Sequence, residues 1–332
     1  LVFGQRHLLP LIKIKRRKEH SVPDYPENLA KFCSADTARE ILTRQCLRWS
    51  APHQFNDPFE PDHRTVLAFD PHVILDSVLR SVTGMIFSPN EPRGNAPLMT
   101  VIRRWREEER FHTQEEAEEV LRELMSRMVD MRQKELEELM ADWRRYTRQL
   151  RICCFSAKPD NLSCWRHYGD NHRGLVIRFN AQALCGDKPL RAVEYRQARP
   201  EITTLKEQLN AVLYNEQPDA REKFIEKFLH KPLFSSNEQE WRAFFEDSDE
   251  SSKSPDDNQW YDDLPFDPEA LTGVYLGAAM SASQRKEFYE LIKQLYPQCK
   301  IFQGQIPPGK YELDFQRASV PGTATANPEA AQ

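Results

Sequence analysis

The chain has 332 residues, of which 39% are hydrophobic and 29% charged, with a formal net charge of −5; that is enough apolar material for a sizeable core and excludes a disordered or fibrous chain. The longest apolar runs fall short of the roughly 18–20 residues a membrane helix needs, and the start of the sequence lacks a signal-peptide pattern, so a cytoplasmic location without membrane association is expected. Seven cysteines at scattered spacings argue against a disulfide framework and for reduced, structural thiols.

Residues 1–27 read as a tail punctuated by Pro23 and Pro26. Within it Lys13, Lys15, Arg16, Arg17 and Lys18 form a cluster able to contact phosphates, so nucleic acid stands as a candidate partner. A folded region follows over 28–316. AKFCS at 30–34 predicts a strand, Asp36 an N-cap for a helix burying Ile41 and Leu42, and CLRWS at 46–50 a second strand leading into FNDPFE at 55–60. A helical insertion is expected over about 98–150. Its long amphipathic part begins at Thr113, where Thr113 and Glu116 fit a capping box, and ends on Arg144, Arg145 and Arg148, as the helix dipole favours.

RICCFS at 151–156 and LVIRFN at 175–180 predict strands, paired like a hairpin around WRHYGDNHRG, with a helical turn near Trp165 to Tyr168. LRAVEY predicts a further strand, and ITTLKEQLNAVLY and AREKFIEKFLHK predict helices. QEWRAFF at 239–245 returns to strand. The segment 246–263 carries eight acids and one lysine, which leaves the rest of the chain slightly positive, and is expected to be a mobile loop. LTGVYL at 271–276, a helix over 283–296 and the strand CKIFQGQI complete the pattern. From about Ser319 the composition is too polar to order. Strands separated irregularly by helices indicate an α+β fold with one mixed or antiparallel sheet.

Chemistry concentrates in three separated segments, FNDPFE, 154–179 and NEQEWR at 237–242, which read together as one pocket. On a strand, Glu238 and Glu240 would share one face with about 7 Å between their Cα atoms, giving an acid and base pair or an anion for a developing cation. Arg242 would lie on that same face and Trp241 on the other. In FNDPFE, Asn56, Asp57 and Pro58 form a turn anchored by Phe55 and Phe59, with Asp57 and Glu60 as candidate substrate contacts. In the central segment Trp165 is expected in the core, and Tyr168, His172 and Arg173 are candidate ligand contacts, Arg173 for a phosphate or carboxylate. Gly174 is expected to allow the tight turn. No zinc spacing, phosphate-binding glycine loop or nucleophile elbow occurs, so no metal is assigned.

The order FNDPFE, CFS, Trp-x-x-Tyr, HRG-hydrophobic, Glu-x-Glu-x-Arg and GVYLG at 273–277 resembles an uncharacterised bacterial family, the domain of unknown function 2971, over roughly residues 28–316. The Glu-x-Glu pair preceded by Ser235 and Ser236 also resembles the motif of ADP-ribosyltransferases. That likeness implies Glu240 as the transition-state stabiliser with Glu238 as its partner. It implies NAD as a substrate, with Lys31, Ser156 and an aromatic from Trp165 or Tyr168 at matching positions; Tyr168, His172, Arg173 and Arg242 are the further candidate ligand contacts, in a pocket expected to be shaped by Asn56, Asp57, Glu60 and Trp165. The position where that class carries His or Arg is Lys31 here. Together with the basic arm, the bacterial setting that the family resemblance implies suggests a toxin or antiphage effector. A metal-dependent nuclease or phosphoesterase using Asp57, Glu60, Glu238 and Glu240, and a non-catalytic ligand sensor or interaction module, remain open on the same residues; the oligomeric state is undetermined.

Overall fold

The computed structural model describes residues 25–247 and 260–318. The basic cluster at 13–18, the tail from Ser319 and most of the acidic segment lie outside the described residues. Twelve strands are described. Ten form one mixed sheet, whose main path runs β12-β11-β10-β4-β1-β3-β2-β9, with β8 also paired to β3 and β5 to β8. In chain order these include β1 (Asn28–Cys33), β2 (Cys46–Ser50), β3 (Leu150–Ser156), β4 (Leu175–Asn180), β5 (Leu190–Ala192) and β6 (Glu194–Arg196). They continue with β7 (His230–Pro232), β8 (Glu240–Glu246), β9 (Tyr261–Pro265), β10 (Leu271–Leu276), β11 (Lys300–Gln305) and β12 (Asp314–Arg317). The fold is α+β, as the irregular alternation of elements requires.

Helices cover both faces of the sheet. On one face α1 (Ala35–Arg44), α6 (Ala181–Cys185) and α8 (Ala282–Leu295) bury Ala38, Leu42, Phe288 and Ile292 against Leu29, Phe155, Ile177 and Val274. On the other, α2 (Val73–Phe87), α3 (Pro97–Glu107), α4 (Gln114–Gln149) and α7 (Leu205–Tyr214) form a second core with Ile152 and Phe244. Beside it, α5 (Leu162–His167) sets Cys164 and Trp165 against Phe32, Val176 and Tyr275. Strand pleating produces this division. In β8, Trp241, Ala243 and Phe245 face the first core while Phe244 faces the second, as residues two apart must.

Several elements differ from expectation for identifiable reasons. Ser34, not Asp36, caps α1, its hydroxyl accepting from Thr37 N at 3.3 Å. Thr113 caps α4 by accepting from Glu116 N at 3.1 Å, but the Glu116 carboxylate accepts from His112 N instead of closing the box on Thr113. The helical layer begins earlier than position 98, because α2 belongs to it. β3 and β4 do not form a hairpin; β1 lies between them, with Ala30 opposite both Ser156 and Arg178. LRAVEY splits at Val193 into β5 and β6, which pair with β8 and β7 respectively. The segment read as a helix at 220–231 is a 3₁₀ turn (Ile225–Leu229) followed by β7. Pro232 accounts for the end of that element, since it drives Lys231 out of helical conformation. At the far side of the acidic segment, 261–265 is strand β9, paired antiparallel with β2.

Candidate functional site

β8 and the turn before it organise the charged groups. Glu238 is the last residue of a 3₁₀ turn (Leu233–Glu238), Gln239 is left-handed at φ 47°, and the strand begins at Glu240. The two glutamates are therefore not on one strand face. The left-handed step nevertheless brings their carboxylates to a shared cation: Lys231 Nζ lies 2.6 Å from Glu238 Oε2 and 3.1 Å from Glu240 Oε2. Arg242, two residues along the strand from Glu240, donates from Nε to Glu240 Oε1 at 2.7 Å. Its two terminal nitrogens bond both oxygens of Glu60, and Nη1 also reaches Phe228 O at 2.7 Å. The result is a chain of five charged side chains, Glu238, Lys231, Glu240, Arg242 and Glu60, all buried.

Three carboxylates against two cations leave one formal negative charge in this chain. Burial alone would raise the Glu240 carboxyl, but Arg242 and then Lys231 overcome it and hold the group at about 2. Burial opposes the charged form of Lys231, yet the Glu240 charge and the Glu238 hydrogen bond outweigh it and raise the ammonium above its ordinary range. Charges this far from water persist only when paired and hydrogen-bonded, and here each pairing is direct.

The other two motif segments meet the same chain. FNDPFE supplies Glu60, and its Phe55 ring lies under the Arg242 guanidinium at 5.6 Å. Asp57 accepts from Phe59 N at 2.9 Å, so it locks the turn and does not join the carboxylates; Asn56 is exposed. Phe59 is 57% exposed, contrary to its expected role as an anchor. From the central segment, Ser156 Oγ donates to Glu238 O at 2.8 Å, and Cys164 Sγ lies 3.7 Å from the same carbonyl. Tyr168, half exposed, donates through its hydroxyl toward Glu238 Oε2 at 3.5 Å. Tyr195 accepts from Glu240 N at 2.8 Å, and burial raises its phenol to about 12. Glu238 is thus the carboxylate beside an exposed aromatic ring, whereas both oxygens of Glu240 are already held.

Three residues assigned from sequence stand apart. Lys31 projects to the opposite face of the sheet, where Nζ lies 3.0 Å from Cys154 O and 3.7 Å from Cys153 Sγ. His172 stacks on Trp165 with ring centroids 5.9 Å apart, and Arg173 pairs with Asp170 at 3.0 Å. Trp165 is fully buried, as expected, and meets Phe32 edge-on. Positive φ falls on Asp170, Asn171 and His172, so Gly174 is needed for close approach instead: a Cβ there would sit 2.1 Å from Cys33 O. Lys231 and Tyr195 were missed by sequence reasoning; Pro232 was the available signal that Lys231 leaves a helix and enters an extended segment.

A metal fits this donor set poorly. Glu60, Glu238 and Glu240 already share Arg242 and Lys231, and a divalent ion would have to displace one of those cations. Among the described residues, no group of three or more His, Cys, Asp or Glu is arranged to hold a metal. All seven cysteines are free, and no described helix is long and apolar enough to cross a membrane.

Residues 164–256 match the family model described as "Protein of unknown function (DUF2971)". The resemblance drawn from the motifs is thereby shown over a span that includes the Tyr168 turn, Lys231, Glu238, Glu240 and Arg242. No curated protein and no solved structure matches the chain.

Proposed function

We propose that the chain is an enzyme of the ADP-ribosyl-transfer or NAD-processing type, with Glu238 as the carboxylate that faces substrate. The observation that carries this reading is the position of Glu238. It is held by the Lys231 ammonium at 2.6 Å and stands beside the half-exposed Tyr168 ring. A fixed anion next to an aromatic surface suits the loss of nicotinamide, in which positive charge develops on the ribose while the departing ring needs a stacking partner. In this reading Glu240, expected from sequence to stabilise the transition state, serves to hold Lys231 and Arg242 in place. The charge it fixes is what keeps Lys231 against Glu238. Lys31 takes no part in this reading. An effector acting on nucleic acid or protein is the biological role consistent with it.

The saturation of Glu240 and Glu60 by cations favours a second reading, a non-catalytic ligand sensor in which occupancy at Tyr168 and Glu238 alters a partner surface. Mass spectrometry of mixtures containing NAD, ATP or a short nucleic acid, with and without chelator, separates the alternatives. Release of nicotinamide that survives chelation supports transfer from NAD. Phosphoester cleavage abolished by chelator would instead establish the metal-dependent nuclease, and binding of a nucleotide that Glu238→Gln weakens, without any product, would establish the sensor.

A further inference from the structure

A second site lies at the opposite end of the sheet. β10 and β11 are parallel and are joined through α8, so their carboxyl ends open together beside the first turns of that helix. A cavity of about 320 Å³ occupies this position. Leu276 lines it at the end of β10 and Gln305 at the end of β11. Crevices outside the carboxyl ends of parallel strands are favoured ligand positions because strands and helix diverge there. Five strand steps at about 4.8 Å place β11 roughly 24 Å from β8, so this cavity is separate from the Glu238 cluster.

The chemistry of the lining is specific. Arg285, one turn into α8, and Arg317, the last residue of β12, both line the cavity, and neither side chain has a carboxylate partner among the described residues. Elsewhere in the molecule arginines are commonly paired, including Arg39, Arg48, Arg151 and Arg242. Tyr289 lines the wall one helical turn beyond Arg285. Gln305 Nε2 donates to Gln316 Oε1 at 3.1 Å, which leaves the other amide groups of this pair available at the rim. Two guanidinium groups without a carboxylate partner among the described residues, set beside one small cavity, are suited to an oxyanion that accepts paired N–H donors, and phosphate matches that fork better than a single carboxylate does. The volume falls at the lower end of small-ligand sites, and Tyr289 with Leu276 offers an apolar wall for a ring.

From this arrangement we infer that the cavity binds a small phosphate-bearing ligand of nucleotide size, with Arg285 and Arg317 on the phosphate and Tyr289 against the ring. The inference does not depend on the activity proposed for Glu238. Calorimetric titration of the full chain with ADP, inorganic phosphate and succinate tests it, alongside Arg285→Gln and Arg317→Gln. ADP is expected to bind the wild type more tightly than phosphate, and each substitution is expected to weaken it at least about tenfold, the equivalent of one charge-assisted hydrogen bond. Arg317 is exposed, so Arg317→Gln tests the contact without threatening the fold. Binding of succinate in preference to both phosphate ligands, ADP binding unchanged in both variants, or no binding of any of the three to the wild type would overturn the proposal.

Discussion

Glu240 and Glu238 are two residues apart, yet their surroundings assign them different work. Glu240 accepts from Arg242 and Lys231 at once and is held at about 2, so it contributes stability above the ordinary carboxyl value near 4.5 and loses that contribution as pH falls toward 2. The difference corresponds to stabilisation on the order of 3 kcal/mol. Urea denaturation followed from pH 6 to pH 2.5 should show this loss, and Glu240→Gln should flatten the dependence over that interval. Arg242 carries the larger structural burden, because removing it strands Glu60 and Glu240 without their shared cation. Arg242→Met is expected to cost about 3–5 kcal/mol, measurable as a lower denaturation midpoint with little change in slope. Lys31, by contrast, lies on the other face of the sheet, so Lys31→Met should leave nucleotide turnover near the wild-type rate in the same assay.

Local signals specify many individual elements but not their partners. β2, β4 and β10 occupy the segments their alternating apolar residues predict, and α4 begins at the Thr113 cap. The pairing of β3 with β4 failed because β1, more than a hundred residues before β3, inserts between them; no local pattern records that registration. The expected helix at 220–231 runs directly into Pro232, which opposes it. For the site, Glu60, Glu238, Glu240 and Arg242 were legible as charged residues beside aromatic ones. Lys231 is masked by the helix-like spacing around it, and the meeting of the two glutamates at Lys231 depends on the left-handed Gln239, which sequence spacing does not reveal. The turn after α5 yields an element-scale test. Gly277 N donates to Gly174 O at 3.0 Å, and a Cβ on Gly277 would lie 2.1 Å from His172 O. Gly277→Ala must therefore separate the 170–174 turn from the end of β10, and thermal denaturation should register a loss of at least about 1–3 kcal/mol, within the range for overpacking.

Across the whole molecule, three motif segments separated by up to 182 positions meet because β3 and β8 pair along their full length while the loop after β2 folds across them. The second core, built largely from α2, α3, α4 and α7, closes over that face, and the smaller aromatic core around Trp165 closes beside it. Glu238 is buried on that face, with the half-exposed Tyr168 hydroxyl 3.5 Å from its carboxylate. The arrangement combines a buried electrostatic scaffold, Glu60 through Lys231, with a further buried carboxylate, Glu238, in reach of the half-exposed Tyr168. Activity should therefore be more sensitive to Glu238 than stability is, and the reverse should hold for Arg242.

The most direct test is the rate of nicotinamide release from NAD by the wild type and by Glu238→Gln, with folding of both proteins checked by thermal denaturation. The account predicts release by the wild type and a fall of about 10²–10³-fold in the variant, the loss associated with one preorganised electrostatic group, without a comparable loss of folded protein. A folded wild type that leaves NAD intact, or a Glu238→Gln variant that releases nicotinamide at the wild-type rate, would contradict it.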